Sequence, residues 1–236
     1  MTAASWEEID SGGSPMRLYV ARPEDAQAPC IIVLQEAFGL NDYMQDVTRR
    51  IAALGYVAVA PELFHRTAPG FVGDYDNLGK SLPHMRDLTN DRIETDMRAT
   101  FAWMEKDSQC HTGLAAAIGF CLGGKVAFIA NAVLPLKTAV SYYGSSIPSL
   151  LEDYAALQQS PLLLVWGGQD KHITPEERSR VGDTLRAQNK RYIQAEFSDA
   201  QHGFFCNARP KAFNPEASRE AWALTTAFLK DKLEER

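Results

Sequence analysis

The chain has no stretch approaching the ~20 consecutive apolar residues of a membrane span. Its amino terminus, Met1-Thr2-Ala3-Ala4-Ser5-Trp6-Glu7-Glu8, lacks the basic-then-apolar order of a secretory signal, so a cytoplasmic location is expected. Positive charge is in the minority, with 24 Lys and Arg against 30 Asp and Glu for a formal charge of -6, and it forms no cluster. Without a basic patch there is no electrostatic hold on nucleic acid or an anionic membrane, and neither is expected as a partner. Cysteine is scarce: Cys30, Cys110, Cys121 and Cys206 stand apart with no C-x-x-C spacing, which argues for free thiols over a disulfide or zinc framework. His65, His84 and His111 lack ligand spacing, Cys110-His111 included, so neither a metal nor another cofactor is expected. Internal repeats, heptads and low-complexity segments are absent as well.

What is present suits a globular enzyme or binding protein. With 45% apolar and 23% charged residues over 236 positions, the chain is long enough for one α/β domain spanning 1–236 with a substantial core. Residues 14–22 alternate after the Gly12-Gly13 turn and predict an antiparallel edge strand, and 23–29 reads as loop. Buried strands are predicted at 31–34, 56–60, 115–120, 138–143 and 162–166, with a last strand at 192–197. Between them lie helices opened by Asn41 or Asp42, Asp91, Thr174-Pro175 and Asn214-Pro215, and one following Cys121. Residues 62–90 carry Pro69, Pro83, Gly70, Gly73 and Gly79 with little periodicity, and predict a long surface excursion able to cover a pocket. Strands alternating with helices imply an α/β fold: a mostly parallel sheet with helices on both faces, its chemistry at the carboxyl ends of the strands.

The stretch Ala115-Ala116-Ala117-Ile118-Gly119-Phe120-Cys121-Leu122-Gly123-Gly124 organises the rest. Gly119, Cys121 and Gly123 occupy the spaced positions of a nucleophile elbow, G-x-S-x-G, with cysteine for serine. The glycines let a strand and a helix pass closely around a strained residue, and the helix start can favour a thiolate or an oxyanion. The alternative for the pentapeptide is a buried structural cysteine in a Gly-rich turn. The residues after the other buried strands decide between them: Glu36 after 31–34, Asp170 after 162–166 and His202 after 192–197 should share one rim with Cys121. Singly, Asp170 could cap a loop and His202 could be a hydrogen-bonded loop histidine. Their order, nucleophile then acid then histidine, is that of α/β-hydrolases. His202 would take the thiol proton and Asp170 would fix its tautomer. An oxyanion hole would need the backbone N–H of Leu122 and, from the loop after the first core strand, that of Ala37.

Five stretches, Gln35-Glu36-Ala37-Phe38-Gly39, Gly119-Phe120-Cys121-Leu122-Gly123-Gly124, Tyr142-Tyr143-Gly144, Trp166-Gly167-Gly168-Gln169-Asp170 and His202-Gly203-Phe204, run in the order found in the dienelactone hydrolase (carboxymethylenebutenolidase) family, which the chain resembles. The resemblance implies an α/β-hydrolase fold and a Cys121-His202-Asp170 triad. It also implies a role for Glu36, whose family counterpart contacts the nucleophile's thiol and helps form the thiolate when substrate arrives. Phe38 and Tyr143 correspond to pocket positions, and Phe204 is a further candidate there. Where the family carries an arginine four residues after the histidine, this chain has Cys206. Arg209, or Arg66, Arg86 or Arg92 from the excursion, could instead meet a substrate anion. A Glu36 next to Cys121 would keep the resting thiol protonated; the bland alternative is a solvated loop acid.

The residue choice itself narrows the substrate. A thiolate is a good leaving group as well as a good nucleophile, so an alkyl ester adduct tends to expel sulfur and revert. An enolate or phenolate competes in that expulsion, which favours enol lactones and activated esters as small-molecule substrates. A thiol redox sensor and a catalytically silent binding protein are the readings from other classes. The assembly expected is a monomer or small homo-oligomer.

Overall fold

Two sequence periods alternate along the chain, short β-branched runs and amphipathic stretches, and the computed structural model resolves them into strands and helices over the described residues, 3–24 and 27–234. The strands are β1 (Ala3–Ser11), β2 (Ser14–Arg22), β3 (Ala28–Leu34), β4 (Val57–Pro61), β5 (Cys110–Phe120), β6 (Thr138–Tyr142), β7 (Leu162–Gly167) and β8 (Tyr192–Phe197). They form one sheet in the order β1-β2-β4-β3-β5-β6-β7-β8. From β4 onward every neighbouring pair is parallel, while β1 and β2 join antiparallel at one end. The helices are α1 (Asp42–Ala52), α2 (Leu82–Asp87), α3 (Asn90–Met104), α4 (Leu122–Val133), α5 (Leu151–Tyr154), α6 (Pro175–Ala187) and α7 (Pro215–Leu233). Both α4 and α7 pack on β5 and β6, which two helices can do only from opposite faces of the sheet. On one face α3 packs on α4; on the other the Arg50 guanidinium of α1 lies 4.7 Å from the Trp222 ring of α7. This is the mostly parallel sheet expected from the strand and helix alternation, in keeping with the fold that the family resemblance implies.

Central strands β3, β4, β6 and β7 are buried almost throughout, as their uniform apolar composition requires of strands covered on both faces. The structure departs from the sequence reading at the periphery. The strand at 14–22 is not an edge strand, because β1 pairs along its whole length and takes the edge. Most of β1 is exposed or half-buried and carries Glu7, Glu8 and Asp10, so it lacks the apolar face that announces a strand. The predicted loop at 23–29 gives way to β3 at Ala28; Asp25 and Ala26 lie outside the described residues, as do Met1 and Thr2 of the amino terminus. Helix α3 is capped by the Thr89 hydroxyl, not by Asp91, which sits in its first turn. The 62–90 excursion contains α2 and a short 3₁₀ turn, and it is tied down. Gly73 N–H donates to the Phe38 carbonyl at 2.9 Å, and the Tyr75 ring lies 4.6 Å from that of Phe38. Arg66 holds fully buried Asp96 with two bonds of 2.8 and 2.9 Å, joined by Ser11 at 2.6 Å and His65 at 3.2 Å, so the excursion, the β1–β2 hairpin and α3 share one buried polar latch. Among the described residues no helix is long and apolar enough to cross a membrane.

Candidate active site

At the end of β5 the chain reverses into α4 through Cys121, whose φ of 55° and ψ of -114° lie in a region an L-residue rarely occupies. The flanking glycines make the reversal possible. A Cβ on Gly119 would sit 1.9 Å from the Gly123 carbonyl oxygen, and one on Gly123 would sit 2.2 Å from the Leu34 carbonyl oxygen. The start of α4 therefore rests directly on the end of β3, and this contact sets Leu122 beside the Gln35-Glu36-Ala37 turn.

A second pair of glycines does the same on the far side. A Cβ on Gly167 would lie 2.6 Å from the Ala200 carbonyl oxygen, and one on Gly168 2.6 Å from the Ser198 Cα, so the turns after β7 and β8 cross in contact. The crossing brings Asp170 to His202: His202 Nδ1 lies 2.8 Å from Asp170 Oδ2. The other carboxylate oxygen accepts the backbone N–H groups of His172 at 2.7 Å and Ile173 at 3.2 Å. Those bonds fix the acid's orientation and, with the imidazole, hold its carboxyl below the usual carboxylate range although burial works against this. With Nδ1 committed to Asp170, Nε2 is the imidazole atom free to meet Cys121.

Burial disfavours a Cys121 thiolate, but the charge of His202 and a hydrogen bond to it outweigh that cost, and the thiol is more acidic than usual. The same pairing lifts His202: burial opposes its protonation, yet Cys121 and Asp170 raise it to about 10. Each group therefore favours the charged form of the other.

The family model for the dienelactone hydrolase family matches residues 16–233. The chain belongs to this family. The carboxymethylenebutenolidase of Pseudomonas sp. (strain P51) is 32% identical to it over 222 residues, covering 93% of this chain and 91% of that protein. A relative from Synechocystis sp. is 31% identical over 225 residues, 91% of each. A solved structure from Klebsiella pneumoniae superimposes with a TM-score of 0.87 at 29% identity, covering 97% of this chain and 98% of that one.

Within this dienelactone hydrolase framework, Glu36 is buried to 1% exposure, so it is not a solvated loop acid. Its Oε1 accepts from the Tyr143 hydroxyl at 3.4 Å, and its Oε2 has no hydrogen-bond partner. Burial raises its carboxyl against the fields of Arg209 and His202 and hydrogen bonds from Cys206 and Tyr143. Glu36 disfavours the Cys121 thiolate while His202 favours it, and the influence of His202 is the larger.

The pocket candidates divide. Tyr143 and Phe204 are fully buried; their rings pack on each other at 5.6 Å, and Tyr143 backs the His202 ring at 5.1 Å, so both support the histidine from behind. Phe38 lies under the Arg209 guanidinium at 5.6 Å, which also lies 5.9 Å from the Tyr75 ring and against Gly203, one residue past His202. A cavity of about 520 Å³ opens here, lined by Tyr75, Arg209 and Lys211 among others. The other arginines are engaged elsewhere: Arg66 in the Asp96 latch and Arg92 with Asp87, while Arg86 is exposed on α2. Two residues escaped the sequence reading. Ser145 Oγ lies 3.5 Å from Cys121 Sγ, and the His172 ring sits 5.0 Å from that of His202. His172, two residues after the acid, carried a positional signal; Ser145 carried none.

Proposed function

We propose that the protein hydrolyses an enol lactone or activated carboxylic ester through a covalent thioester on Cys121. The observation that carries the reading is the hydrogen-bonded line from Asp170 through His202 toward a cysteine in strained elbow backbone. The Cys121 thiolate attacks the acyl carbon, and its electron pair forms the C–S bond while the carbonyl pair moves to oxygen. The backbone N–H groups of Leu122 and Ala37 are the donors for that oxyanion. Collapse restores the carbonyl and breaks the bond to the enolate or phenolate oxygen, which takes the proton of the His202 imidazolium. Neutral His202 then removes a proton from water as it attacks the thioester, and collapse returns thiolate and imidazolium. Asp170 holds Nδ1–H throughout, which keeps Nε2 as the atom that gives and takes the proton. Glu36, buried behind the site, tunes the charge balance around the sulfur.

The substrate preference follows from leaving-group chemistry. Across a series of acetate esters, turnover should rise steeply as the leaving alcohol becomes more acidic, with aryl and enol esters exceeding ethyl acetate by about 1000-fold or more, the scale on which thiolate expulsion competes with alkoxide expulsion. Steady-state kinetics over the series tests this, and equal rates for ethyl and phenyl acetate would contradict it.

A further inference from the structure

The loop after β6 carries a side chain that the proposed reaction leaves unused. Among the described residues four non-glycines have positive φ: Cys121 at 55°, Tyr143 at 36°, Ser146 at 63° and Asn189 at 54°. Asn189 belongs to the turn beyond α6, but the other three lie around the thiol. Such conformations persist only where the surrounding structure imposes them, and they gather at functional sites. Here elbow and loop are stitched together: Cys121 N–H donates to the Tyr142 carbonyl at 3.0 Å, and Ser145 N–H donates to the Cys121 carbonyl at 3.2 Å. Gly144 permits the approach, since a Cβ there would lie 2.3 Å from Ser141 Oγ and 2.6 Å from Ile147 Cδ1. The outcome of this construction is the 3.5 Å contact between Ser145 Oγ and Cys121 Sγ.

We propose that Ser145 is a positioning residue whose hydroxyl donates a hydrogen bond to Cys121 Sγ and holds the sulfur on the His202 side of the elbow. A donor to the charged form favours that form, so the hydroxyl makes the thiolate easier to generate and offsets the nearby Glu36 carboxylate. The inference rests on the reading of Cys121 as the nucleophile. A serine suits the task because its hydroxyl adds a donor without adding charge, leaving the imidazolium as the cation that pairs with the sulfur.

The test is the pH dependence of Cys121 alkylation by iodoacetamide, with the adduct located by peptide mass, in wild type, Ser145→Ala and Ser145→Thr. The other titratable groups about the sulfur, His202 and Glu36, with Asp170, His172 and Tyr143 behind them, are the same in all three proteins. Ser145→Ala should move the alkylation midpoint up by about one pH unit, slowing the reaction about tenfold on the acid side with no loss on the alkaline plateau. Ser145→Thr, which keeps the hydroxyl, should restore the wild-type profile. A purely structural serine would change stability, or every rate alike, without moving the midpoint. An unmoved midpoint in Ser145→Ala, or an equal shift in Ser145→Thr, overturns the proposal. Undiminished ester turnover by Cys121→Ala would instead remove the nucleophile reading, while the alkylation profile would still report on Ser145.

Discussion

Cys121 and Cys206 show how one residue type takes two characters within one site. Burial pushes the Cys206 thiol up to about 12, with the Glu36 carboxylate adding to the effect. Cys121 is half-buried, and desolvation likewise works against its thiolate, but the imidazole opposite reverses the balance and makes it more acidic. The partner, more than the exposure, sets the reactivity. The same comparison assigns a role to Arg209. With Cys206 four residues after His202, Arg209 supplies positive charge beside Glu36 and Gly203, stacked on Phe38. If it receives a substrate carboxylate, Arg209→Glu should raise KM for an anionic enol lactone by about tenfold or more, the worth of one charge-assisted contact. The variant should leave a neutral aryl ester nearly unchanged. Equal effects on the two substrates would take Arg209 out of the substrate site.

At the scale of elements, the site depends on backbones that cross at contact distance. Gly119 lies in β5, and a methyl group there meets the Gly123 carbonyl oxygen at 1.9 Å, an obstacle of rigid backbone that no side-chain rotation relieves. Gly119→Ala should therefore cost about 3 kcal/mol of stability, the upper range of core overpacking, and abolish turnover by lifting α4 off β3. Urea denaturation beside an ester assay measures both. A fully active variant with a wild-type midpoint would mean that the crossing is looser than described. These crossings were legible in the sequence, because Gly119, Cys121 and Gly123 fall within five residues and each glycine answers a local demand. The central strands were legible too, from their unbroken apolar composition. Strand β1 was not: an edge strand bearing Glu7, Glu8 and Asp10 has only half-buried side chains to reveal it. The cap of α3 fell to Thr89 because its hydroxyl reaches Arg92 N–H, a choice that sequence left open between neighbouring polar residues.

At the scale of the molecule, the parallel sheet gathers Glu36, Cys121, Asp170 and His202 from the ends of four strands, β3, β5, β7 and β8. Glu36, Cys121 and Asp170 follow buried runs, whereas His202 follows β8, an edge strand with only exposed and half-buried residues. The parallel topology sends all four positions to one rim, which is why strand order in the sequence pointed to it. What it left hidden depends on contacts without a local pattern. Ser145 meets the thiol across 24 residues through a loop bent by unfavourable dihedrals, and the Asp96 latch draws on Ser11, His65 and Arg66 from three separate segments. Glu36 was foreseen at the rim, yet its unpartnered oxygen and its contact with Tyr143 emerge only from the packing of β3 against the β6 loop.

The central claim, covalent catalysis by Cys121, is tested most directly by single turnover. Wild type and Cys121→Ala are mixed with a chromogenic aryl ester, quenched on the millisecond to second scale and weighed intact. The account predicts a transient mass increase of one acyl group, mapped to Cys121, that decays as product appears, with neither adduct nor turnover in Cys121→Ala. Undiminished hydrolysis by Cys121→Ala would contradict it and reduce the elbow cysteine to a structural residue.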